Sequence, residues 1–488
     1  MLRIVAALLA ACMASSAYPA PLPDALRDAL AQAGVPASGL GLYVQEVGAR
    51  QPLLAHNAER PMNPASTMKL VTTLAGLELL GPNFTWRTEA WVDGTLSGDV
   101  LNGNLVLKGY GDPNITLQDF WMFLSDLRAR GLREIRGDLV LDRTFFSVDD
   151  INPGGFDNEP TRPYNVIPDA LLVNYKSIWL QFLPDEAAGR VRILSTPQLP
   201  QVTIINQLAL GMGSCDFWPE KPQSIPERAT LVFTGVFPRG CGEKSKSFSL
   251  LTPNEYLVTL FGQIWRQLGG TFGGAVRNAA VPEQAALYAR WDSPPLSQVI
   301  RDINKFSNNV MARHLFLTLS LAADNPPATT EKARRAVREW LVRGGLDFPE
   351  LTLENGSGLS RSERITPRHL AELLLYAWRS PLMPEYLSSL PIPGVDGTLR
   401  RRLIDSPSAG RGHLKTGYLE GVRAIAGFVN DRAGRTMVVV SVINHPQAIA
   451  AQGFQDAVTE WVSSRSAAGA ADPRDSRERR IAAATTLR

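Results

Sequence analysis

The sequence predicts a mixed α/β (α+β) protein with more than one domain, and three observations carry this prediction. The chain has 488 residues, which is too long for a single hydrophobic core. Near its start, the segments LGLYVQEV and PLLAHNA are typical of a β-hairpin, and an apolar helix follows them. Near its end, strand-like segments again precede a helix. We therefore expect the two ends of the chain to form one domain with a large insertion between them.

The early helices are predicted from apolar periodicity and from residues that favour helix ends. Residues 22–33 suit a short amphipathic helix. The helix after the hairpin begins behind Asn63, a good N-cap, with Pro64 at its first position. Gly81, followed by a proline, ends it. Because its apolar residues repeat at helical spacing, this second helix should belong to the core.

From about Thr85 the pattern alternates and is interrupted by turn residues, which is typical of strands. Strands are predicted over 85–109, 134–142, 177–183, 190–195, 201–206, 229–235 and 413–444, and helices over 117–131, 254–268, 292–322 and 448–462. The sequence contains no internal repeats. The middle of the chain should therefore be rich in strands, with helical periodicity returning before the final sheet segments.

The two ends of the chain have the composition of processed or solvated segments. The first residues contain one arginine, an apolar run and then small residues, which is typical of an export signal removed around residues 17–20. An alternative is a lipoprotein signal, in which Cys12 becomes the lipidated first residue. The tail over 466–488 is rich in Ala, Ser and Arg and is predicted to be disordered. The mature protein is expected to be exported, periplasmic and at most peripherally associated with a membrane.

The charge of the chain argues against a nucleic-acid partner. The formal net charge is +3, and the segment from Arg465 to the end holds six Arg and three acidic residues, so its net charge is 6 − 3 = +3. The remaining residues therefore sum to zero, and a solvated tail accounts for the basic balance. No stretch after the signal approaches the roughly 18 apolar residues of a membrane span.

Two cysteines remain after Cys12, namely Cys215 and Cys241. An even pair in an oxidising compartment is typical of a disulfide rather than of a reactive thiol or a metal site. Both lie among glycines, as expected of a loop-rich region. We predict a structural disulfide between them, and no metal or other cofactor is predicted.

The segment PASTMKL places Ser66 and Lys69 three residues apart at the start of the predicted core helix. Residues at this spacing share a helix face, so the lysine amine can reach the serine hydroxyl. In the first turn the backbone N–H of Ser66 is free to hold an oxyanion. Burial or a second positive charge would lower the pKa of the lysine, as a base requires. The same spacing also fits the ordinary first turn of a helix.

Two further motifs follow in the chain. FSNN contains Ser307 and Asn309, a hydroxyl that can relay a proton and an amide that can hold a carbonyl; a polar break between helices is the alternative. HLKTGYLEG contains Lys415, Thr416 and Gly417, which fit carboxylate binding, or an edge strand protected by a lysine. Each motif alone is weak evidence for catalysis.

Together, S-x-x-K, S-x-N and K-T-G in this order form the signature of the penicillin-interacting serine enzymes. With its long interval between Ser66 and Ser307, the sequence resembles the D-alanyl-D-alanine carboxypeptidase/endopeptidase family. These are the class C low-molecular-mass penicillin-binding proteins. The segments KGYGDPNIT, ENGSGLSR, PGVDGTLRRR and GVRAIAGFVND are similar to that family too. The resemblance covers nearly the whole mature chain. It implies a penicillin-binding/β-lactamase-like catalytic domain, an antiparallel sheet flanked by helices, with two nested inserted β-rich domains.

The predicted division into domains follows from this resemblance and from the composition of the two ends of the chain. We predict a signal peptide over 1–20, a catalytic domain over 21–85 and 285–465, an inserted domain over 86–175 and 245–284, a nested domain over 176–244, and a disordered tail over 466–488. Peptidoglycan peptides and β-lactam antibiotics are the expected partners.

The resemblance also implies a role for each motif residue. Ser66 would be the acylated nucleophile and Lys69 its base, while Ser307 and Lys415 would relay a proton to the leaving amine. Asn309 would bind the substrate amide carbonyl, and the hydroxyl of Thr416, beside Gly417, its terminal carboxylate. The backbone N–H groups of Ser66 and Tyr418 would form the oxyanion hole. Tyr418 departs from the family pattern, which has a small Thr or Ser there, and this places substrate preference in question.

Two other functions remain open from the sequence. One is a β-lactamase or esterase of the same fold, and the other is a cell-wall-binding scaffold without activity. The intact motifs argue against the scaffold. The five histidines are scattered, and no H-E-x-x-H or G-x-S-x-G motif occurs, so neither a zinc hydrolase nor an α/β-hydrolase is indicated.

Overall fold

The computed structural model describes residues 21–148, 151–225 and 228–466. The predicted signal peptide, Cys12 and the predicted tail beyond residue 466 lie outside the described residues. Among the described residues, no helix is long and apolar enough to cross a membrane.

The described chain alternates between helices and strands throughout. The helices are α1 (Asp24–Gln32), α2 (Lys69–Leu80), α3 (Leu117–Ala129), α4 (Pro253–Gln267), α5 (Leu296–Lys305), α6 (Asn309–Thr318), α7 (Thr330–Arg343), α8 (Pro367–Arg379), α9 (Met383–Ser388) and α10 (Gln452–Ser463). The strands are β1 (Leu40–Glu46), β2 (Leu54–His56), β3 (Arg87–Ser97), β4 (Val100–Gly109), β5 (Glu134–Ile135), β6 (Leu139–Asp142), β7 (Ile178–Asp185), β8 (Arg190–Thr196), β9 (Thr203–Gly211), β10 (Gln223–Ile225), β11 (Thr230–Pro238), β12 (Lys244–Phe248), β13 (Thr271–Phe272), β14 (Val276–Asn278), β15 (Ala286–Asp292), β16 (Gly412–Leu419), β17 (Val422–Asn430) and β18 (Thr436–Asn444).

One antiparallel sheet joins the two ends of the chain, as predicted. Its strand order is β16-β17-β18-β1-β2, and β1 pairs with β18 from Leu40 opposite Ile443 to Glu46 opposite Met437. One face of the sheet packs on α2, α5, α6, α7 and α8 in a large apolar core. The other face packs on α1 and α10. This antiparallel sheet flanked by helices is the architecture expected for the catalytic part, and the mixed α/β class is confirmed.

Two further sheets are built from the middle of the chain, and one interrupts the other. A seven-stranded sheet takes β3, β4, β5, β6, β13, β14 and β15. A six-stranded sheet, in the order β10-β11-β9-β8-β7-β12, is formed by strands that lie in sequence between β6 and β13. The second insertion is therefore nested inside the first. The disulfide predicted between Cys215 and Cys241 is present in this nested part, with the Cα atoms 5.2 Å apart.

Two predicted domain boundaries differ from the strand pairing. The catalytic part was expected to resume at residue 285, but β15 pairs with β3 in the seven-stranded sheet, so this sheet extends to Asp292. The nested part was expected to end at residue 244, but β12 pairs with β7 and extends it to Phe248. Both errors have one cause, because pairing with a distant strand decides which sheet a strand joins, and this is not visible in local alternation.

The elements agree with the predictions most closely where the apolar pattern is strong. The helices predicted over 22–33, 117–131, 254–268 and 448–462 correspond to α1, α3, α4 and α10. The helix predicted over 292–322 divides into α5 and α6, because Ser307 adopts a left-handed backbone with φ of +57°. Helices α7, α8 and α9 were not predicted.

Candidate active site

The nucleophile candidate Ser66 lies in a 3-10 turn (Ala65–Met68) that leads directly into α2. Ala65, just before it, is fully buried and has a left-handed backbone with φ of +45°. The side chain of Asn63 holds this conformation, because its Oδ1 accepts a hydrogen bond of 2.9 Å from the N–H of Ala65. Asn63 is in turn joined to the end of β18 by reciprocal bonds with Asn444. Strained backbone of this kind is typical of functional sites and persists only where its surroundings fix it.

Two glycines enclose the turn that carries Ser66. A Cβ atom on Gly358 would lie 1.9 Å from the carbonyl oxygen of Ala65 and 2.7 Å from the nitrogen of Ser66. A Cβ atom on Gly417 would lie 2.8 Å from the carbonyl oxygen of Pro64. No larger residue fits at either position without moving the nucleophile. The glycine of the K-T-G motif therefore allows the edge strand β16 to pack against the turn.

Lys69 is the first residue of α2 and is fully buried. Its Nζ lies 2.9 Å from Ser66 Oγ, 2.6 Å from Asn309 Oδ1 and 2.5 Å from the carbonyl oxygen of Ser357. Burial, and then the positive charge of Lys415, hold the pKa of Lys69 well below its ordinary value. A lowered pKa favours the neutral amine, which is the form that can act as a base.

The three contacts of Lys69 fit a neutral amine that accepts a proton. A neutral amine has two N–H donors and one lone pair. The carbonyl oxygens of Asn309 and Ser357 can only accept, so they take the two N–H groups. The lone pair is then left for the hydroxyl of Ser66. In its neutral form Lys69 can thus accept a hydrogen bond from Ser66, as a base does from a nucleophile, whereas in its charged form it donates to Ser66 Oγ.

A second pair lies between α5 and the edge strand. Lys415 is fully buried on β16, and its Nζ donates to Ser307 Oγ at 2.8 Å and to the carbonyl oxygen of Thr416 at 2.8 Å. Burial lowers the pKa of Lys415 to about 7. Asn308 caps α6 through the N–H of Met311, and this fixes the start of the helix on which Asn309 lies.

The side chains of Thr416 and Tyr418, in the same strand, make contacts different from those of Lys415. Residues alternate between the faces of β16, so Thr416 and Tyr418 do not share the face of Lys415 and Gly417. The Thr416 hydroxyl lies 2.8 Å from the hydroxyl of Thr398. The ring of Tyr418 is 52 % exposed and stacks against Arg423, directly opposite on β17, at 4.5 Å. The bulk of Tyr418 is thus directed away from Lys415.

Sequence reasoning missed the loop that supports Lys69. Glu363 is fully buried, and its Oε1 accepts from the backbone N–H groups of Glu354, Asn355 and Gly356 at 3.1, 3.0 and 3.0 Å. The next residue along the loop, Ser357, presents its carbonyl to Lys69. Burial raises the pKa of Glu363. The segment ENGSGLSR contains this loop, but a backbone carbonyl leaves no signal in a sequence.

Comparisons with known proteins agree with this geometry. The fold and the site define a serine hydrolase of the penicillin-interacting class. The chain belongs to the D-Ala-D-Ala carboxypeptidase 3 (S13) family, whose model matches residues 22–465. The predicted family, fold and enzyme class are thereby confirmed.

Several relatives resemble the chain over most of its length. The D-alanyl-D-alanine carboxypeptidase DacB of Haemophilus influenzae is 27 % identical over 83 % of this chain and 85 % of that protein. A carboxypeptidase of Mycobacterium tuberculosis is 31 % identical over 79 % of this chain and 71 % of that protein. The crystal structure of penicillin-binding protein 4 (DacB) from H. influenzae is 26 % identical with a TM-score of 0.72, covering 94 % of this chain and 99 % of that one.

Proposed function

We propose that this protein removes the terminal D-alanine from peptidoglycan stem peptides through an acyl-enzyme on Ser66, and that it also cleaves D,D-crosslinks between such peptides. The observation that carries the proposal is the environment of Lys69, whose two carbonyl acceptors leave its lone pair to the Ser66 hydroxyl. The family description of the matching model names D-Ala-D-Ala carboxypeptidase activity. The compartment that fits this substrate is the periplasm.

The reaction begins with the transfer of the Ser66 proton to Lys69. Ser66 Oγ then attacks the carbonyl carbon of the penultimate D-alanine, and the resulting oxyanion is held by the N–H groups of Ser66 and Tyr418. When the C–N bond breaks, the Ser307 hydroxyl passes a proton to the leaving nitrogen and is resupplied by Lys415, 2.8 Å away. Free D-alanine departs. Water then attacks the ester and gives one proton to Lys415, while the proton held by Lys69 returns to Ser66 Oγ as the ester bond breaks, so that both lysines and Ser66 are restored.

Substrate binding uses the groups that the catalytic contacts leave free. Because Asn309 Oδ1 accepts from Lys69, its Nδ2 is available to donate to a substrate carbonyl. The paired hydroxyls of Thr416 and Thr398 are available to donate to the terminal carboxylate. Crosslink cleavage requires the same acyl step with a larger leaving amine. β-Lactams would enter the same site, and a related H. influenzae structure, 25 % identical with a TM-score of 0.71, is complexed with one.

Labelling with a fluorescent penicillin, followed by a denaturing gel, tests the nucleophile. We expect one label per chain, and no label on the Ser66→Ala variant. The matched control is Ser388→Ala at the exposed end of α9, which should label like the unaltered protein. Labelling that persists in Ser66→Ala would refute the assignment.

Purified muropeptides test the substrate. Incubation with monomeric pentapeptides and with crosslinked dimers, followed by mass analysis, should show loss of one D-alanine and conversion of dimers to monomers. If only the monomer yields products, the protein does not cleave crosslinks, and that part of the proposal is wrong. Nitrocefin turnover of many cycles per second, with both muropeptides intact, would instead favour a β-lactamase.

A further inference from the structure

A groove in the inserted part of the molecule has no role in the catalytic steps. It lies between the start of α3, the end of α4 and the loop after β8, and it has a volume of about 1360 Å³. Its lining includes the side chains of Gln118, Trp121, Gln198 and Gln267. Arg266 is the one charged residue of the lining. The groove therefore combines apolar surface with several carboxamides and carries little charge.

These side chains are available to a ligand. Gln118, Gln198 and Gln267 are exposed, and within the described ranges their carboxamides make no hydrogen bond to another protein group. Each carboxamide offers two donors and an acceptor. Arg266 is likewise exposed and forms no ion pair in the described part of the chain.

Trp121 supplies a flat apolar surface beside these amides. The side chain is 40 % exposed, whereas the opposite side of α3 is buried through Phe120, Phe123 and Leu124. The core of the inserted part therefore does not depend on the indole. An exposed indole next to free polar groups matches ligands that combine apolar C–H surface with hydroxyl or amide edges.

The groove is connected to the helix that carries Asn309. Asn174 lies in the groove lining, and its neighbour Tyr175 extends to α6, where its hydroxyl is 3.5 Å from Met311 Sδ. Met311 follows Asn309 by two residues on that helix. Asn174, Tyr175 and Lys176 all have left-handed backbones, with φ of 48°, 52° and 50°. Asn174 and Tyr175 thus link the lining of the groove to the helix that carries Asn309.

We infer that this groove binds the saccharide chain to which the peptide substrate is attached. An N-acetylated sugar chain presents C–H groups on its ring faces, and hydroxyls and acetamido groups at its edges. Trp121 suits the ring faces, and the three free carboxamides suit the edges. A single arginine among the lining residues gives too little positive charge for a polyanion such as a nucleic acid. The inference rests on the proposed function, because it assumes a substrate peptide borne on a glycan.

Direct binding is measured with a probe that contains no peptide. Isothermal titration of the full chain with a tetrasaccharide of N-acetylglucosamine should show binding, and Trp121→Ala should weaken it roughly five- to tenfold, the loss expected for one stacked ring. Met122→Ala is the matched control, since Met122 is the next residue on α3, is 46 % exposed and does not line the groove. Binding that is absent, or equal in both variants, would overturn the inference.

Kinetic measurements distinguish a contribution of the groove to substrate binding from an effect on the catalytic site. The rates of D-alanine release are compared for a sugar-free pentapeptide and for the same pentapeptide on a glycan oligomer. Trp121→Ala and Gln267→Ala should raise KM for the glycan-borne substrate alone, with kcat and the free peptide unaffected. Equal effects on both substrates would contradict the inference. If neither substrate releases D-alanine, the proposed function fails, while saccharide binding is still decided by the titration.

Discussion

The two buried lysines of the site differ in what surrounds them, and the difference supports a different proposed role for each. Lys69 contacts three oxygens, two of which can only accept, so that its lone pair faces the nucleophile. Lys415 contacts one hydroxyl and one backbone carbonyl. The pKa of each is lowered, first of all by burial, but only for Lys69 does the other lysine's charge add to the effect. These different surroundings fit the proposed roles of Lys69 as the base and of Lys415 as the proton source.

Removing the amine of Lys69 should have the largest effect. Lys69→Met keeps the length of the side chain but has no lone pair, so acylation by penicillin should fall by about 10³-fold. The stopped-flow or gel-based rate of labelling measures this. Leu77→Met, a volume-conserving buried change two turns further along α2, is the control for packing. An acylation rate of Lys69→Met within threefold of that of the control would contradict the assignment of Lys69 as the base.

Removing the amine of Lys415 should have a smaller effect of a different kind. Lys415→Met should slow acylation by about 10²-fold through loss of the proton relay. It should also move the acid limb of the pH–rate profile to higher pH. The sign follows because the Lys415 charge lowers the pKa of Lys69, and without it Lys69 stays protonated to a higher pH. Since Lys415 has a pKa of about 7, the shift should be greatest below that pH. If the acid limb of the profile does not move in Lys415→Met, the charge of Lys415 does not affect the pKa of Lys69.

Two substitutions at Glu363 separate position from charge. Glu363→Leu removes the acceptor of three backbone N–H groups, so the loop that presents the Ser357 carbonyl should loosen and acylation should fall about tenfold. Glu363→Gln keeps an acceptor oxygen but removes a charge that raises the pKa of Lys69. Its rate at neutral pH should stay close to that of the unaltered protein, with the acid limb moved to lower pH. Identical profiles for the two variants would indicate a merely structural role.

The smallest effect is expected at Tyr418. Because its ring stacks on Arg423 and lies on the face away from Lys415, Tyr418→Thr should leave the acylation rate unchanged. The kcat/KM for pentapeptide measures any effect on carboxylate binding. A large gain in kcat/KM would mean that the tyrosine obstructs the carboxylate, as its departure from the family pattern implies.

The sequence predicted which motif residues come together, because these residues carry chemistry in their side chains. Ser66, Lys69 and Asn309 meet, and Ser307 meets Lys415, as the motifs imply. The supporting parts were not predictable in the same way. Glu363 acts on backbone N–H groups, and Gly358 acts by having no side chain, so neither leaves a recognisable pattern.

The fold was predictable to a similar degree. The hairpin and core helix at one end, and the sheet and helix at the other, follow from apolar periodicity. The sheets to which β12 and β15 belong could not be predicted in this way, because they depend on pairing with strands far away in the chain. Helix α7 was not predicted, although its buried residues recur at helical spacing, because many charged residues separate them and two of them are alanines.

The pairing of β1 with β18 completes the sheet of the catalytic part late in the chain. Every strand of the two inserted sheets is complete by Asp292, yet β1 lacks its central partner until the chain has reached Asn444. Closing so large a loop is slow compared with local folding. A chain halted before Thr436 would thus contain Ser66, Lys69, Ser307 and Lys415 and still lack the sheet that brings them together. The catalytic sheet is therefore completed only by β18, the last strand in the described part of the chain.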